Sequence, residues 1–229
     1  MKRINYNGTR MTQITRIAAH LSVKISVIRV ISVLLLIIFF TGCGRNYTPE
    51  QKEYISKIEK FRQNKNLEMK NDPASPFNKK GKVEFHDLNY FDPDPDFVFK
   101  SKLTEYNLKD TIVIYGTKGE PRKAVRFGYL AFKYENIPYK LNVYQGIIAG
   151  GVTYYSIWFT DKTTNKESYG VGRYIDFEKP NDLNYLYEVD FNLSYNPYCA
   201  YSPNYSCAIP TKEDFIPIEI KAGEKKFHD

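Results

Sequence analysis

After Asn64 the chain contains no helix-periodic run long enough to carry a parallel crossover, so a sheet built from it must be mainly antiparallel. From Phe97 onward the pattern is short apolar and aromatic segments separated by turn residues. Ile112 and Ile114 alternate within Thr111 to Tyr115, and Phe127 to Tyr134 and Ile137 to Gln145 follow as aromatic strands. Tyr154-Tyr155-Ser156-Ile157-Trp158-Phe159 is nearly all apolar or aromatic and reads as a central strand. Asp161 to Asn165 is a polar turn, and Ser168 to Asp176 returns as the partner strand of a hairpin. Alternating Ile216, Ile218 and Ile220 suggest a last strand near an edge, since Pro217 cannot donate to a ladder. About eight short strands with turns between them predict a mainly β fold, an antiparallel sandwich or barrel-like domain.

One N-terminal amphipathic helix precedes this domain. Thr48 can cap it, Pro49 fits the first helical position and Gln51 stands where a capping box needs it. Tyr54, Ile55, Ile58 and Phe61 then recur at helical spacing, which predicts a helix to about Asn64. Residues 65 to 83 read as a loop, with turn formers dense in Asn71 to Pro76. Asp92, Asp94 and Asp96 alternate as calcium ligands can, but an EF-hand would need Gly and Glu where Phe97 and Leu103 stand. That leaves a rigid, solvated turn.

Residues 1–42 hold six basic residues and no Asp or Glu, and end in the apolar run Val30 to Phe40. This is the layout of a secretory signal peptide, and the run is short for a spanning helix, which needs about 20 apolar residues. Phe40-Thr41-Gly42-Cys43 resembles the lipobox of bacterial lipoproteins, in which the cysteine is lipidated and becomes the new N-terminus. The expected organisation is a leader over 1–42, a lipidated N-terminus with helix and turn-rich linker over 43–95, and a β domain over 96–229. Translation starting at Met11 would alter nothing downstream. The resemblance implies several acyl chains, enough for a stable anchor. The expected location is therefore the cell envelope, membrane-anchored through Cys43. Gly44, where an acidic retention residue would stand, favours the outer membrane in a cell that has one.

Removing the leader changes the meaning of the charge. The chain as a whole carries +7, yet six of its 33 basic residues lie in the leader and none of its 26 acidic ones do. The remainder holds 27 Lys+Arg against 26 Asp+Glu, a net of +1, and such a surface offers no electrostatic case for nucleic acid. The 187 residues left suffice for one domain with a real core. Twenty tyrosines against a single tryptophan, Trp158, suit half-buried strand positions where the ring packs and the hydroxyl reaches water.

Cys199 and Cys207 remain beside Cys43. Export to an oxidising compartment makes a disulfide the default expectation, and it would pin one loop rather than the whole fold. Two free thiols are the alternative. A zinc site would need further ligands, and only His86 and His228 follow the leader, neither nearby in sequence, so no metal or cofactor is expected.

The densest polar and aromatic cluster lies late in the chain. In order along the sequence stand Ser75 to Phe77, Tyr90 to Pro93, Tyr169 to Tyr174, Asp190 to Asn192, Tyr195 to Tyr201, Cys207 to Pro210 and Ala222 to Lys225. This series of blocks resembles the domain of unknown function family 1684 across most of the chain after the leader. The family brings no established activity, and its predicted lipoprotein members agree with the leader. Arg173, Asp190, Asn192, Tyr195 and Asn196 offer a guanidinium fork, a carboxylate and amides, groups suited to a polar or anionic ligand. They could equally cap turns or pair across strands. No G-x-S-x-G, H-E-x-x-H or G-x-x-x-x-G-K motif occurs. The residues therefore favour a binding or structural module for a polar ligand or an envelope partner. The alternative is a periplasmic, hydrolase-like enzyme with Asp190 as base and Arg173 beside it, which requires the two side chains to converge in a pocket.

Overall fold

The computed structural model describes residues 45–147, 151–182 and 184–228. The expected leader and Cys43 lie outside the described residues. The chain divides into two compact units, Met1–Tyr47 and Thr48–Asp229, and the fold is that of the second. Among the described residues no helix is long and apolar enough to cross a membrane.

Helix α1 (Pro49–Asn71) starts as its sequence predicts. Thr48 Oγ1 accepts from the Gln51 N–H at 3.3 Å, and the Thr48 N–H donates to Gln51 Oε1 at 3.0 Å. The helix runs well past Asn64, so the first part of the loop expected over residues 65–83 is helical, up to Asn71. Met69 extends the buried face begun by Ile58 and Arg62, and packs with Phe77, Leu88, Tyr201 and Phe227. Pro73 stops the helix, because the residue before a proline is pushed out of the helical region, and Asp72 is extended at ψ 122°.

Eight strands follow among the described residues: β1 (Val98–Glu105), β2 (Thr111–Tyr115), β3 (Pro121–Tyr134), β4 (Ile137–Ile147), β5 (Thr153–Asp161), β6 (Arg173–Ile175), β7 (Leu186–Asp190) and β8 (Phe215–Ile216). They form one sheet in the order β6-β5-β4-β3-β1-β7, with β2 beside β3 and β8 beside β5. Pairing is antiparallel except for the two-residue contact of β8 with β5. Strands change partners along their length. β3 pairs with β2 over Pro121 to Val125 and with β1 over Gly128 to Leu130. β1 in turn passes from β3 to β7. These switches curl the sheet into a half-barrel.

The Tyr154 to Phe159 segment is not central. β3 and β4 occupy the middle of the sheet and β5 lies next to its edge. The expected final strand shrinks to Phe215–Ile216 and stops at Pro217, which cannot supply the next ladder bond. The β3–β4 hairpin closes on Glu135 and Asn136, at φ 50° and 65°, the two left-handed positions that match the twist of the strands.

Alternation along the strands gives the sheet two different faces. Ile157 and Phe159 of β5 enter the main core with Phe132, Leu141, Val143 and Val189. Phe191 sits among them, its ring centroid 5.2 Å from Phe159, 5.4 Å from Phe132 and 5.9 Å from Phe99. Trp158, between Ile157 and Phe159, points the other way and packs with Ile114, Ala124, Tyr144 and Ala208.

Gly128 marks where β1 approaches β3. A Cβ there would fall 2.5 Å from the Thr104 carbonyl oxygen, a backbone atom that cannot step aside. Gly128→Ala is therefore expected to destabilise the domain by about 1–3 kcal/mol, read as a lower urea midpoint with an unchanged slope.

Candidate functional site

On the Trp158 face of the sheet lies a cleft of about 630 Å³. Its floor follows from strand register. Tyr154, Ser156 and Trp158 are alternate residues of β5 and share one face, and Tyr174 of β6 is paired directly with Trp158. Tyr144 of β4 stacks behind the indole, with ring centroids 4.5 Å apart and planes 13° apart. Tyr195 is drawn beside Tyr174 by two backbone hydrogen bonds, of 2.8 and 3.0 Å. Helix α1 supplies Phe61, Lys65 and Met69 to one wall, and the segment Asn196 to Ala208 supplies the other.

The cations lining this cleft, Lys65 and Arg122, are compensated from within the protein. Lys65 pairs with Glu224 at 3.0 Å and lies over the Tyr195 ring. Arg122 pairs with Glu120 at 2.5 Å and donates to the Ser206 carbonyl at 2.9 Å. Asp176 accepts from the Tyr195 hydroxyl at 2.7 Å, and burial together with that carboxylate pushes the Tyr195 phenol above its usual range. Three polar atoms of the lining have no hydrogen-bond partner among the described residues: Trp158 Nε1, Asn196 Oδ1 and the Tyr205 hydroxyl. Trp158 is 4% exposed and Asn196 1%. A buried donor and a buried acceptor left unpaired each cost about 1–3 kcal/mol, so a cleft that keeps both is suited to a ligand that satisfies them.

The five residues singled out in the sequence separate into two groups. Tyr195 and Asn196 line the cleft, whereas Arg173, Asp190 and Asn192 do not. Arg173 precedes Tyr174 in β6, so alternation sends it to the opposite face. There it is 0% exposed, lies against the rings of Phe91 and Phe159, and donates to the carbonyls of Ile220 (2.8 Å) and Ala222. Its carboxylate partner is Asp161, at 3.4 Å, rather than Asp190. Burial lowers the guanidinium pKa, and Asp161 and Glu224 act against that. Asp190 instead accepts from the Tyr54 hydroxyl at 2.7 Å and from the Asn192 backbone at 2.8 Å. Asn192 clasps the backbone of Asp94 through both ends of its amide. These two residues fasten α1 and the aspartate turn to the end of β7. Asp190 and Arg173 therefore do not converge in the cleft, as the hydrolase-like alternative built on these two residues requires.

Cys199 and Cys207, expected as a disulfide, are neighbouring thiols in the structure. The Cys199 N–H points at Cys207 Sγ, 3.2 Å away, and Cys207 lines the cleft. Hydrogen bonding from the Cys207 thiol lowers the Cys199 thiol to about 6; burial opposes this, and the hydroxyls of Tyr169 and Thr117 assist it. The same contact pushes Cys207 upward. No group of three or more potential metal ligands occurs among the described residues.

Sequence reasoning missed Trp158, Tyr174 and Glu224 as site residues. The alternation Tyr154, Ser156, Trp158 was available to show that one face of β5 is polar and aromatic. Glu224 had no local signal, because its partners are 23 to 28 residues away in sequence or on α1. It is 1% exposed and holds the Asn196 N–H at 2.9 Å, the Tyr201 hydroxyl and Lys65.

Arg173→Ala should leave Asp161 buried without its cation and cost about 3–5 kcal/mol in denaturant unfolding. Lys57→Ala, which removes an ion pair with Glu53 that stands in solvent, should leave the midpoint unchanged.

Comparison with known proteins agrees with this fold. The solution NMR structure of an uncharacterized protein from gene locus rrnAC0354 of Haloarcula marismortui is similar, with 26% identity and a TM-score of 0.56 over 79% of this chain and 98% of that one. No curated protein matches the chain. A family model described as a protein of unknown function, DUF1684, matches residues 83–225, which contain every strand and the β-sheet part of the cleft. The chain belongs to the DUF1684 family.

Proposed function

We propose that the domain is a binding module whose cleft takes a neutral, polyhydroxylated ring of the sugar class. The observation that carries this is the Trp158 indole N–H, buried on the floor of an aromatic cleft without an acceptor among the described residues. A sugar ring has a face of C–H groups and a rim of hydroxyls. Its face can lie on tyrosine rings, whose π surface is negative, while its hydroxyls accept from Trp158 Nε1 and donate to Asn196 Oδ1. The paired cations Lys65 and Arg122, together with the carboxylate of Asp176, leave little for an anionic ligand to gain. The envelope setting rests on the basic, apolar leader and the Phe40 to Cys43 motif, with a lipid on Cys43 holding the domain at the membrane.

Two measurements test these proposals. Trp158 is the chain's one tryptophan, so its fluorescence reports the cleft directly. Titration with maltose, cellobiose or diacetylchitobiose should give a saturable emission change with at least one of them. Tyr154→Ala, which removes a half-exposed ring from the floor, should weaken binding about three- to tenfold. A flat titration with all three sugars, together with silent calorimetry, would sink the sugar reading. For the anchor, intact protein bearing Cys43→Ser should move from the membrane to the soluble fraction, and continued membrane retention would refute it.

A further inference from the structure

We infer that Cys199 and Cys207 form a reversible thiol–disulfide couple at the cleft wall, with Cys199 as the attacking sulfur and small disulfides as the oxidant. Three geometric observations carry this. The two residues are already in contact through the Cys199 N–H and Cys207 Sγ, although the chain between them loops out through seven residues. The Tyr169 hydroxyl lies 3.7 Å from Cys199 Sγ and 3.3 Å from the Cys199 carbonyl, so its one proton can turn to the sulfur when that sulfur carries negative charge. Cys207 is fastened from the other side. Its N–H donates to Thr117 Oγ1 at 3.2 Å and its carbonyl accepts from the Thr117 N–H at 3.0 Å, which ties it to the β2–β3 turn.

The two sulfurs are therefore unequal. The Cys199 thiol is lowered by the Cys207 thiol that donates to it, and so is the readier of the two to ionise, whereas Cys207 is pushed upward and keeps its proton. The exchange runs through a mixed disulfide. Cys199 thiolate attacks one sulfur of oxidised glutathione, forming a Cys199–glutathione bond and releasing the first glutathione thiolate, which takes up a proton. Cys207 then loses its proton and attacks Cys199 Sγ, expelling the second glutathione as a thiolate that is protonated in turn. Two protein thiols give up two electrons and two protons, and glutathione disulfide receives both.

The couple bears on the cleft because the loop it would close carries part of the cleft wall. Tyr198 and Tyr205 flank the pair, their rings edge to face at 5.2 Å, and both line the cleft together with Cys207 and Trp158. A covalent bond across the base of this loop restricts how far Tyr205 can move from Tyr198. Trp158 fluorescence should report that restriction.

The test equilibrates the full chain across a series of glutathione to glutathione disulfide ratios, quenches with acid, alkylates, and maps the Cys199 and Cys207 peptides by mass. The expected result is one reversible transition in which the two peptides become linked, two hydrogens lighter, with Trp158 emission following the same midpoint. With Cys207→Ser, Cys199 should accumulate the mixed disulfide with glutathione. In the reduced wild-type chain, Cys199 should label about tenfold faster than Cys207 at pH 7. Thiols that stay free across the series overturn the proposal. So does a bridge that stays closed throughout, since that is a structural staple, and so does faster labelling of Cys207 than of Cys199. The wild-type titration stands even if a variant fails to fold. Sugar binding is measured separately on the reduced protein, so failure of one reading leaves the other intact.

Discussion

The buried guanidinium of Arg173 is the interaction on which the late part of the structure depends. A cation with no exposure would be prohibitively costly alone, and here Asp161, two or more backbone carbonyls and two aromatic faces surround it. Asp161 in turn accepts the Ile220 N–H at 2.7 Å and the Thr163 hydroxyl at 2.9 Å. The effect is to pin the C-terminal segment, which has almost no strand ladder of its own, onto the end of β5 and β6. The clamp gives the carbonyls of Ile220 and Ala222 the partners that a sheet would otherwise supply.

Glu224 passes this restraint on to the cleft. Because Arg173 donates to the backbone carbonyls of Ala222 and Glu224, Glu224 is held where its carboxylate can reach Asn196, Tyr201 and Lys65 at once. One buried carboxylate therefore positions the loop wall and the helix wall of the cleft together. The polar groups that looked functional in sequence are thus mostly the supports of a site whose surface is aromatic. This arrangement is physically reasonable, since a cleft of tyrosine rings needs a stiff frame to keep its faces apart, and charge-assisted hydrogen bonds in a dry interior are stiff.

Much of the architecture is legible in local pattern. The Thr48 to Gln51 cap, the Thr111 to Tyr115 strand and the β5–β6 hairpin depend on residues close in sequence, so propensity and spacing suffice to find them. The helix end at Asn71 and the short β8 are less legible. Met69 is buried only because Phe77, Tyr201 and Phe227 arrive to cover it, and β8 is a strand only where β5 offers two residues of edge. For the site, Tyr195 and Asn196 are where the sequence suggested, while Arg173, Asp190 and Asn192 turn inward. Composition around them is the same in either case. Which face a residue occupies is settled by a single step of strand register.

By itself the sequence determined an antiparallel β domain behind a capped helix, membership in a family through its ordered blocks, and a near-neutral charge over residues 43–229. These follow from periodicity, turn chemistry and residue counts, all of which are local or additive. The tertiary structure alone decided that Asp161 rather than Asp190 neutralises Arg173, that Glu224 joins three distant segments, and that Cys207 lines the same cleft as Trp158. Those placements depend on strand register and on segments brought together in space, and neither is carried by residue counts or local periodicity.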